Sequence, residues 1–370
     1  MQIVAQSLLV LRLAHGSAFA LGCVSLSQAS AFFLLALLGG GLADRVDRRR
    51  LLIATQSSLM LLSALLGLLT WRGVVNVPII AVLAFLSGAI LSVDQPARAA
   101  LVSTLVPHDD LLSAVSLQSA VFNGAAIVGP ALAGAIVHAV GFAAIFFVNG
   151  VSFIGVVLAL ISLAGAPNPP RRRQRLLNQI QEALRSVHDD PMLVSALASY
   201  GILLFAGPSL QLLLPVLAID QLHIGPAQLG LLFSAAGVGS VLGALVLGSF
   251  PAATIRAIQA ATACWCVALA VVGSGVTLSV TFGALVVLGA SQSVVGAATS
   301  TLLQCRVSAQ QRGRVMSLNT LLLMGVRPLG DFPAGALIVA VGAPVAAVAS
   351  AAIVGVISLL MYASSRRQGT

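Results

Sequence analysis

Two opposite charges stand one helical turn apart inside an apolar stretch near the end of the chain. Arg327 and Asp331 are four residues apart, so a helix places both side chains on one face. Charges in so apolar a segment are costly unless they are paired or hydrated, and they usually serve a function. Two interpretations stay open. The pair faces a cavity, where it binds an anionic substrate or carries a proton, or it is a packing pair that neutralises itself.

A second group of charges occupies the segment GGGLADRVDRRRLL at residues 39–52, which separates two apolar runs. Asp44 falls at the C-terminal end of the first run, where the helix dipole disfavours an anion, so it needs a partner. Arg48 lies four residues further on and can meet Asp94, an acid at a similar depth in a later run. The alternative is that the arginines only keep this loop on the cytoplasmic side of a membrane.

Uncharged polar side chains are scattered through the apolar runs. They line a cavity or form hydrogen bonds between helices, each contributing about 0.6–2 kcal/mol. The set comprises Gln28, Asn149, Gln211 and Gln292, together with the candidate site residues Gln118, Asn123 and Asn319. The sequence has no phosphate-binding loop, no metal-ligand cluster and no nucleophile spaced to meet a base. We therefore expect no cofactor, no metal site and no enzymatic reaction.

The composition indicates a membrane protein. Of the 370 residues, 59% are hydrophobic and only 8% are charged, whereas soluble domains are about a quarter charged. The net charge of +9 comes from arginines in short gaps between apolar runs, which argues against nucleic-acid binding. We therefore expect the chain to lie in a lipid bilayer.

Eleven apolar runs are long enough to cross a bilayer, since a helical span needs about 20 apolar residues. An earlier apolar stretch, residues 3–11, is too short and is expected to be the second half of a first helix. We therefore predict an all-α membrane protein. The eleven runs cover residues 17–41, 51–71, 77–95, 111–138, 142–164, 192–217, 227–249, 256–274, 276–303, 315–340 and 343–363.

Arginines are distributed unevenly between the two sides of these spans. If the loop at residues 45–50 is cytoplasmic, sixteen of the nineteen basic residues lie on that side. By the positive-inside rule, this asymmetry predicts a cytoplasmic C-terminus. The longest loop, residues 166–191, is expected to contain an amphipathic helix on the inner membrane surface, either as a spacer or as a regulatory docking site.

The two halves of the chain resemble each other. Residues 116–141 align without a gap with residues 317–342, and the shared glycines include Gly129 and Gly134. A parallel repeat of this kind is a standard plan of membrane transporters. We therefore predict an N-terminal transmembrane bundle at 1–165, a cytoplasmic linker at 166–191, a C-terminal transmembrane bundle at 192–364 and a cytoplasmic tail at 365–370.

The charged segment between the second and third spans resembles the signature loop of the major facilitator superfamily. The matching positions are Gly41, Asp44, Arg45, Arg48 and Arg49. The resemblance implies a fold of two six-helix bundles. It also implies a conformational latch, in which Asp44 contacts the start of the eleventh span and Arg48 meets Asp94. This latch would join the bundles when the central cavity opens outward.

Further motifs resemble the exporter branch of this superfamily that includes enterobactin exporters. Pro96-Ala97-Arg98 and Arg312-Gly313-Arg314-Val315 stand at the expected places. Gly129, Pro130 and Gly134 are similar to a fifth-span motif associated with antiporters, and they predict a kinked, closely packed gate or, alternatively, helix packing alone. Members of this branch have more residues before the stretch QSLLVLRL, so we expect the first helix to be truncated.

The resemblance implies a secondary transporter of the bacterial inner membrane. We expect a monomer that exports drug-like or siderophore-like small molecules by alternating access, in exchange for protons. Its partners would be the small-molecule substrate, protons and the lipid bilayer. Two alternatives stay open: an uptake permease of the same fold, and a membrane or lipid-handling protein without gradient coupling.

Overall fold

The computed structural model consists of helices joined by short turns in the part of the chain that it describes. The described residues are 1–43, 47–105, 111–163, 187, 190–248, 254–275, 277–307, 315–316, 319 and 322–368. A π-helical turn, Leu322–Val326, precedes α12. The helices are α1 (Gln2–Leu13), α2 (Ala18–Ala43), α3 (Arg48–Trp71), α4 (Val77–Leu105), α5 (Leu111–Val140), α6 (Phe142–Ser162), α7 (Pro191–Ala206), α8 (Leu210–Asp220), α9 (Pro226–Gly248), α10 (Ile255–Ser274), α11 (Leu278–Arg306), α12 (Arg327–Val341) and α13 (Ala343–Gln368).

Short polar side chains mark the starts of several helices. They accept hydrogen bonds from backbone N–H groups that have no partner within the helix. Asp47 Oδ1 accepts from the N–H of Arg50 at 2.9 Å at the start of α3. Asp190 Oδ1 accepts from the N–H of Met192 at 2.9 Å at the start of α7. The helices therefore begin where the sequence supplies such a cap after a polar loop.

Two glycines with positive φ join consecutive helices in the two halves. Gly141, between α5 and α6, has a φ of 95°, and Gly342, between α12 and α13, has a φ of 85°. Glycine adopts these angles without the steric strain that a Cβ atom would cause. The two positions are equivalent in the sequence repeat, so the repeat extends to the backbone conformation.

The helices form a surface suited to lipid. Among the described residues, eight helices are long and apolar enough to cross a membrane. Large apolar side chains point outward from the outer helices, such as Val151 with 64% and Leu359 with 68% of its surface exposed. The all-α membrane fold is thus confirmed, while the number of full spans stays a prediction. Four shorter apolar helical segments are Gln2–Leu13, Ala18–Phe32, Ile127–Val140 and Leu329–Val341.

Helices pack in the same way within the two halves. α2 packs on α4 and α3 on α6, and the equivalent helices of the second half pack likewise, α9 on α11 and α10 on α13. Between the halves, α2 contacts α12 and α5 contacts α9. These two crossings are equivalent under the repeat. The region boundaries stay predictions, because nearly all of the linker at 166–191 lies outside the described residues.

Candidate transport site

A polar cavity of about 230 Å³ lies among the helices of the first half. Most of its walls come from α1, α2, α3, α4 and α6, and α8 of the second half adds one side chain. The other lining residues are apolar, and no charged side chain of the described residues lines it. Its polar lining consists of Gln2, Gln6, Ser7, Ser25, Gln28, Ser87 and Gln211.

Hydrogen bonds fix two of the cavity glutamines. Gln28 Nε2 on α2 donates to Ser87 Oγ on α4 at 3.3 Å. Asn149 Nδ2 on α6 donates to Gln2 Oε1 on α1 at 2.7 Å. These contacts hold amide groups at the cavity wall, where the free side of each amide can donate or accept.

The sequence indicates only part of this cavity. Gln28 and Gln211 belong to the scattered polar set, but nothing in the sequence separates them from its other members. Gln2 and Gln6 are missed because their segment is read as a partial helix. Their spacing of four residues, which puts both on one face of α1, is the signal that could have found them.

Asp331 is buried, with 5% of its surface exposed, and it binds the start of a neighbouring helix. Its Oδ1 accepts a hydrogen bond from the backbone N–H of Ser209 at 2.9 Å. Ser209 is the N-cap of α8, where the seventh span is interrupted after α7. The positive end of the α8 dipole also favours a carboxylate at this position. α12 and α8 are therefore joined by a bond that depends on the charge of Asp331.

Arg327 has a different partner from Asp331. It begins α12 directly after the π-helical turn. With its amide oxygen turned toward α12, Gln292 of α11 accepts from Arg327 Nη1 at 2.7 Å and from Nη2 at 3.3 Å. The ion pairs among the described residues join Arg98 to Asp94 and Arg306 to Asp190. Arg327 and Asp331 thus form their hydrogen bonds with different residues, although their charges still interact electrostatically, and both interpretations of the pair stay predictions.

Asp94 joins two helices at the arginine-rich end of the first half, and only 1% of its surface is exposed. Its Oδ1 accepts from Thr55 Oγ1 at 2.7 Å and from Gln56 Nε2 at 2.6 Å, both on α3. Arg98 Nη2 donates to its Oδ2 at 2.9 Å. The expected contact with Arg48 is not among these bonds, so the described role of Asp94 is to fasten α4 to α3.

The other latch residues lie at the ends of α2 and α3. Arg49 Nε donates to the carbonyl oxygen of Leu160 at 2.6 Å, and its Nη2 donates to that of Ile161. Arg49 therefore caps the last turn of α6. Asp44 and Arg45 lie outside the described residues, and the surroundings of Gly41 do as well. The latch between the halves stays a prediction.

The predicted gate residues lie in a tight crossing of α5 and α9. A Cβ atom on Gly134 would lie 2.3 Å from the carbonyl oxygen of Pro226, and one on Gly230 would lie 2.5 Å from that of Pro130. Gly129 faces the start of α1 instead. This crossing lies at the helix ends away from the arginine-rich loops. That it acts as a gate stays a prediction.

The predicted amide site is only partly described. Asn319 has a buried Oδ1 atom without a hydrogen-bond partner in the described part of the chain. Gln118 and Asn123 belong to α5, but their side chains lie outside the description. No group of three or more His, Cys, Asp or Glu residues within the described ranges could hold a metal ion.

Comparison with known proteins identifies relatives along nearly the whole chain. A family described as transmembrane secretion effector matches residues 1–369. An enterobactin exporter of Citrobacter koseri is 26% identical over 357 residues, which cover 91% of this chain and 82% of the relative. A transporter of the major facilitator type from Sinorhizobium fredii is 27% identical over 314 residues, which cover 82% of this chain and 74% of the relative.

Solved transporters share the fold at low sequence identity. A bacterial homologue of the human lysosomal transporter Spinster, inward-facing and unoccupied, aligns with a TM-score of 0.75 and 15% identity, over 98% of this chain and 93% of its own. A bacterial homologue of the iron transporter ferroportin, also inward-facing, aligns with a TM-score of 0.69 and 15% identity, over 97% of this chain and 95% of its own.

Proposed function

The chain belongs to the transmembrane secretion effector family of the major facilitator superfamily, and from this membership we propose that it is a proton-coupled exporter of small molecules. Membership makes it a multi-pass membrane transporter and not an enzyme. The cargo we propose is drug-like or siderophore-like. It leaves the cytoplasm across the inner membrane in exchange for protons.

The lining of the uncharged polar cavity supports the proposed chemistry of the cargo. Glutamine amides and serine hydroxyls can both donate and accept hydrogen bonds, while the leucine walls contact apolar parts of a ligand. These surfaces suit a cargo that combines rings with many neutral oxygen or nitrogen atoms. The relative from Citrobacter koseri is named an enterobactin exporter, which supports outward transport of a siderophore-like molecule.

Asp331 supports the coupling to protons. As a carboxylate it accepts the N–H of Ser209 with the strength of a charge-assisted bond, and protonation weakens that bond. The same residue also borders the other half, because a Cβ atom on Gly22 of α2 would lie 3.2 Å from the Asp331 carbonyl oxygen. Binding or release of one proton would therefore change the bond to α8, at a residue that lies beside the crossing of α2 with α12.

The positions of the closest crossings support alternating access. Gly134 with Pro226 and Gly335 with Ala18 bring helices of opposite halves into backbone contact at the ends away from the arginine-rich loops. If those loops are cytoplasmic, the outer end is closed and a cargo enters from the cytoplasm. Proton binding then favours the opposite opening.

Everted membrane vesicles test this proposal. A proton gradient directed out of the vesicles, with an acidic lumen, should drive accumulation of a fluorescent catecholate siderophore, or of a fluorescent dye in a drug panel, in vesicles that contain the protein, because each proton that leaves the lumen is exchanged for cargo that enters. Asp331→Asn should abolish gradient-driven accumulation and preserve exchange of cargo between the two sides without a gradient. Asp220→Asn, which changes an exposed acid at the end of α8, is the matched control.

Two results would contradict the proposal. Accumulation by intact cells and not by everted vesicles would indicate an uptake permease. If Asp331→Asn accumulates cargo as the wild type does under the gradient, Asp331 does not couple transport to protons, even if export itself is confirmed.

A further inference from the structure

A groove of about 500 Å³ lies between α10 and α13, in the second half of the protein. Its described lining residues all belong to these two helices, and on α10 they run from Arg256 to Cys266. The groove opens toward the outside of the bundle, because Leu359 in its wall has 68% of its surface exposed. It is therefore accessible from the surrounding lipid and separate from the cavity of the first half.

The length of the groove corresponds to one leaflet of a bilayer. Ten residues separate Arg256 from Cys266, so the groove extends about 15 Å along α10, half of a hydrocarbon core of about 30 Å. Arg256 is exposed at the arginine-rich end, where the membrane surface is expected. Gly355 of α13 is level with Cys266, because its Cβ atom would lie 3.7 Å from Cys266 Sγ. The groove thus runs from the membrane surface toward the midplane.

Two of the lining residues carry buried polar atoms without partners. Gln259 Nε2 on α10 and Ser358 Oγ on α13 have no hydrogen-bond partner in the part of the chain that the structure describes. Ser358 has only 7% of its surface exposed. A buried N–H or O–H group costs free energy unless it donates a hydrogen bond, and acyl chains offer no acceptor. The two donors therefore favour an occupant that carries oxygen atoms.

Arg256 lacks the contact that its counterpart forms in the first half. Arg49 and Arg256 are each the second residue of equivalent helices, α3 and α10. Arg49 donates to the carbonyl oxygens of Leu160 and Ile161 at the end of α6. The equivalent helix α13 continues to Gln368, so its carbonyl groups at this level bond within the helix. Within the described ranges Arg256 has no hydrogen bond or ion pair, and its guanidinium is available to an anion.

We propose that this groove binds a phospholipid of the leaflet on the arginine-rich side, with Arg256 on its phosphate group. Gln259 lies about one helical turn deeper than Arg256, and Ser358 lies deeper again, so both can donate to phosphate or glycerol ester oxygens. One acyl chain then follows the groove toward Cys266. The site does not depend on the cargo or on the direction of transport.

The charge of the groove favours an anionic lipid. Arg256 is its charged lining residue, and none of the described residues that line it is acidic. A phosphatidylglycerol headgroup keeps the full negative charge of its phosphate, whereas the ammonium group of phosphatidylcholine offsets it. We therefore expect an apparent affinity about fivefold higher for phosphatidylglycerol, which is the effect of one arginine near a membrane surface.

Thermal unfolding of the purified protein in a nonionic detergent tests the site without cargo or gradient. Phosphatidylglycerol, phosphatidylcholine and inorganic phosphate are titrated separately at constant ionic strength. The melting temperature of the wild type should rise and saturate with phosphatidylglycerol at a lower concentration than with phosphatidylcholine. Inorganic phosphate, which lacks acyl chains, should produce no saturable rise.

Four variants separate the headgroup contact from the groove itself. Arg256→Gln should remove the preference for phosphatidylglycerol, and Ser358→Ala should weaken the binding of both lipids severalfold. Ala260→Phe fills the groove from an exposed position one helical turn from Arg256, so it should prevent saturable binding of either lipid. Arg50→Gln, which changes an exposed arginine near the start of α3, is the matched control and should bind like the wild type.

The proposal is overturned if phosphatidylglycerol produces no saturable rise, or if inorganic phosphate alone reproduces the rise. It is also overturned if Arg256→Gln keeps the wild-type preference, or if Ser358→Ala or Ala260→Phe binds phosphatidylglycerol as the wild type does. Each variant is compared with its own melting temperature without lipid, so a general loss of stability does not imitate a loss of binding. Native mass spectrometry should show one phosphatidylglycerol fewer on Ala260→Phe than on the wild type.

Discussion

The ion pair of Asp94 and Arg98 joins residues with very different surroundings. The carboxylate is 2% exposed and also accepts from Thr55 and Gln56, whereas the Arg98 side chain is 47% exposed. Asp94→Ala should therefore destabilise the protein by about 3 kcal/mol, because it leaves the buried amide of Gln56 without this partner, although the Thr55 hydroxyl can still donate to the Leu52 carbonyl oxygen. Thermal or denaturant unfolding in detergent measures this loss.

Arg98→Ala is the matched control for this prediction. An exposed partner contributes little, so its loss should cost less than about 1 kcal/mol. Equal losses in Asp94→Ala and Arg98→Ala would show that the ion pair itself, and not the buried carboxylate, fastens α4 to α3.

The sequence indicates the charged residues of the site better than it indicates their partners. Arg327 and Asp331 are conspicuous because charges are rare in apolar runs. Their partners, Gln292 and Ser209, are remote in the chain and common in type, so only the folded arrangement reveals them. For the same reason, the sequence does not reveal that Asp94 accepts hydrogen bonds from α3, and its predicted latch role stays a prediction.

At the scale of helices, α5 provides two glycines with opposite surroundings. Gly134→Val should force α5 away from α9, because its Cβ atom alone would lie 2.3 Å from the Pro226 carbonyl oxygen. We expect a loss of about 1–3 kcal/mol in stability and a strong loss of transport. Unfolding in detergent and efflux from vesicles measure the two effects.

Gly124→Ala is the matched control on the same helix. A Cβ atom at Gly124 would have no neighbour within 4 Å among the described residues, so this change should be neutral or stabilising by up to about 1 kcal/mol. Normal stability and transport in Gly134→Val would mean that the two halves do not need this backbone contact.

The ion pair of Asp190 and Arg306 at the arginine-rich end predicts that the stability of the protein depends on pH. Partial burial raises the pKa of Asp190, but the hydrogen bonds from Arg306 and the Met192 N–H together hold this pKa below its usual range. The contribution of Asp190 to the free energy of unfolding is therefore fully present above the unfolded-state pKa of about 3.9, and it is lost as the pH falls through the lower folded-state pKa.

Arg306→Gln should accordingly lower the melting temperature at pH 7, and this effect should disappear as the pH falls through the lowered folded-state pKa of Asp190. The stability difference should stay below about 1 kcal/mol, since both side chains are partly exposed. Melting curves of wild type and variant across this pH range measure it. A difference that grows at low pH would contradict the assignment.

For the whole molecule, the position of the closed crossings predicts which side reaches the cavity. In a background without Cys23, Cys264, Cys266 and Cys305, Ser87→Cys should react with a membrane-impermeant thiol reagent in everted vesicles and not in intact cells. Arg72→Cys, in the turn after α3, should show the reverse pattern. Labelling of Ser87→Cys from outside would contradict an inward-open resting state.

The fold as a whole is largely readable from the sequence, because apolar runs, arginine placement and the repeat all report physical constraints of a bilayer. The sequence does not show the interruption of the seventh span, because residues 192–217 form one continuous apolar run. Gly207 and Pro208 separate α7 from α8 there, and Ser209 restarts the helix under the carboxylate of Asp331. Tertiary contact thus decides a feature that local hydropathy conceals.

The two glycine crossings have a mechanical consequence. Two helix pairs, α2 with α12 and α5 with α9, meet backbone to backbone near the same end of the molecule. The line through these two contacts is a natural axis for rotation of one half relative to the other. If one half rotates as a rigid body about this axis, its atoms move little at the two contacts and most at the opposite end, where the arginine-rich loops lie. We therefore expect a small rotation at these two crossings to produce a wide movement at the arginine-rich end, and a larger side chain at Gly134 or Gly335 to restrict that movement.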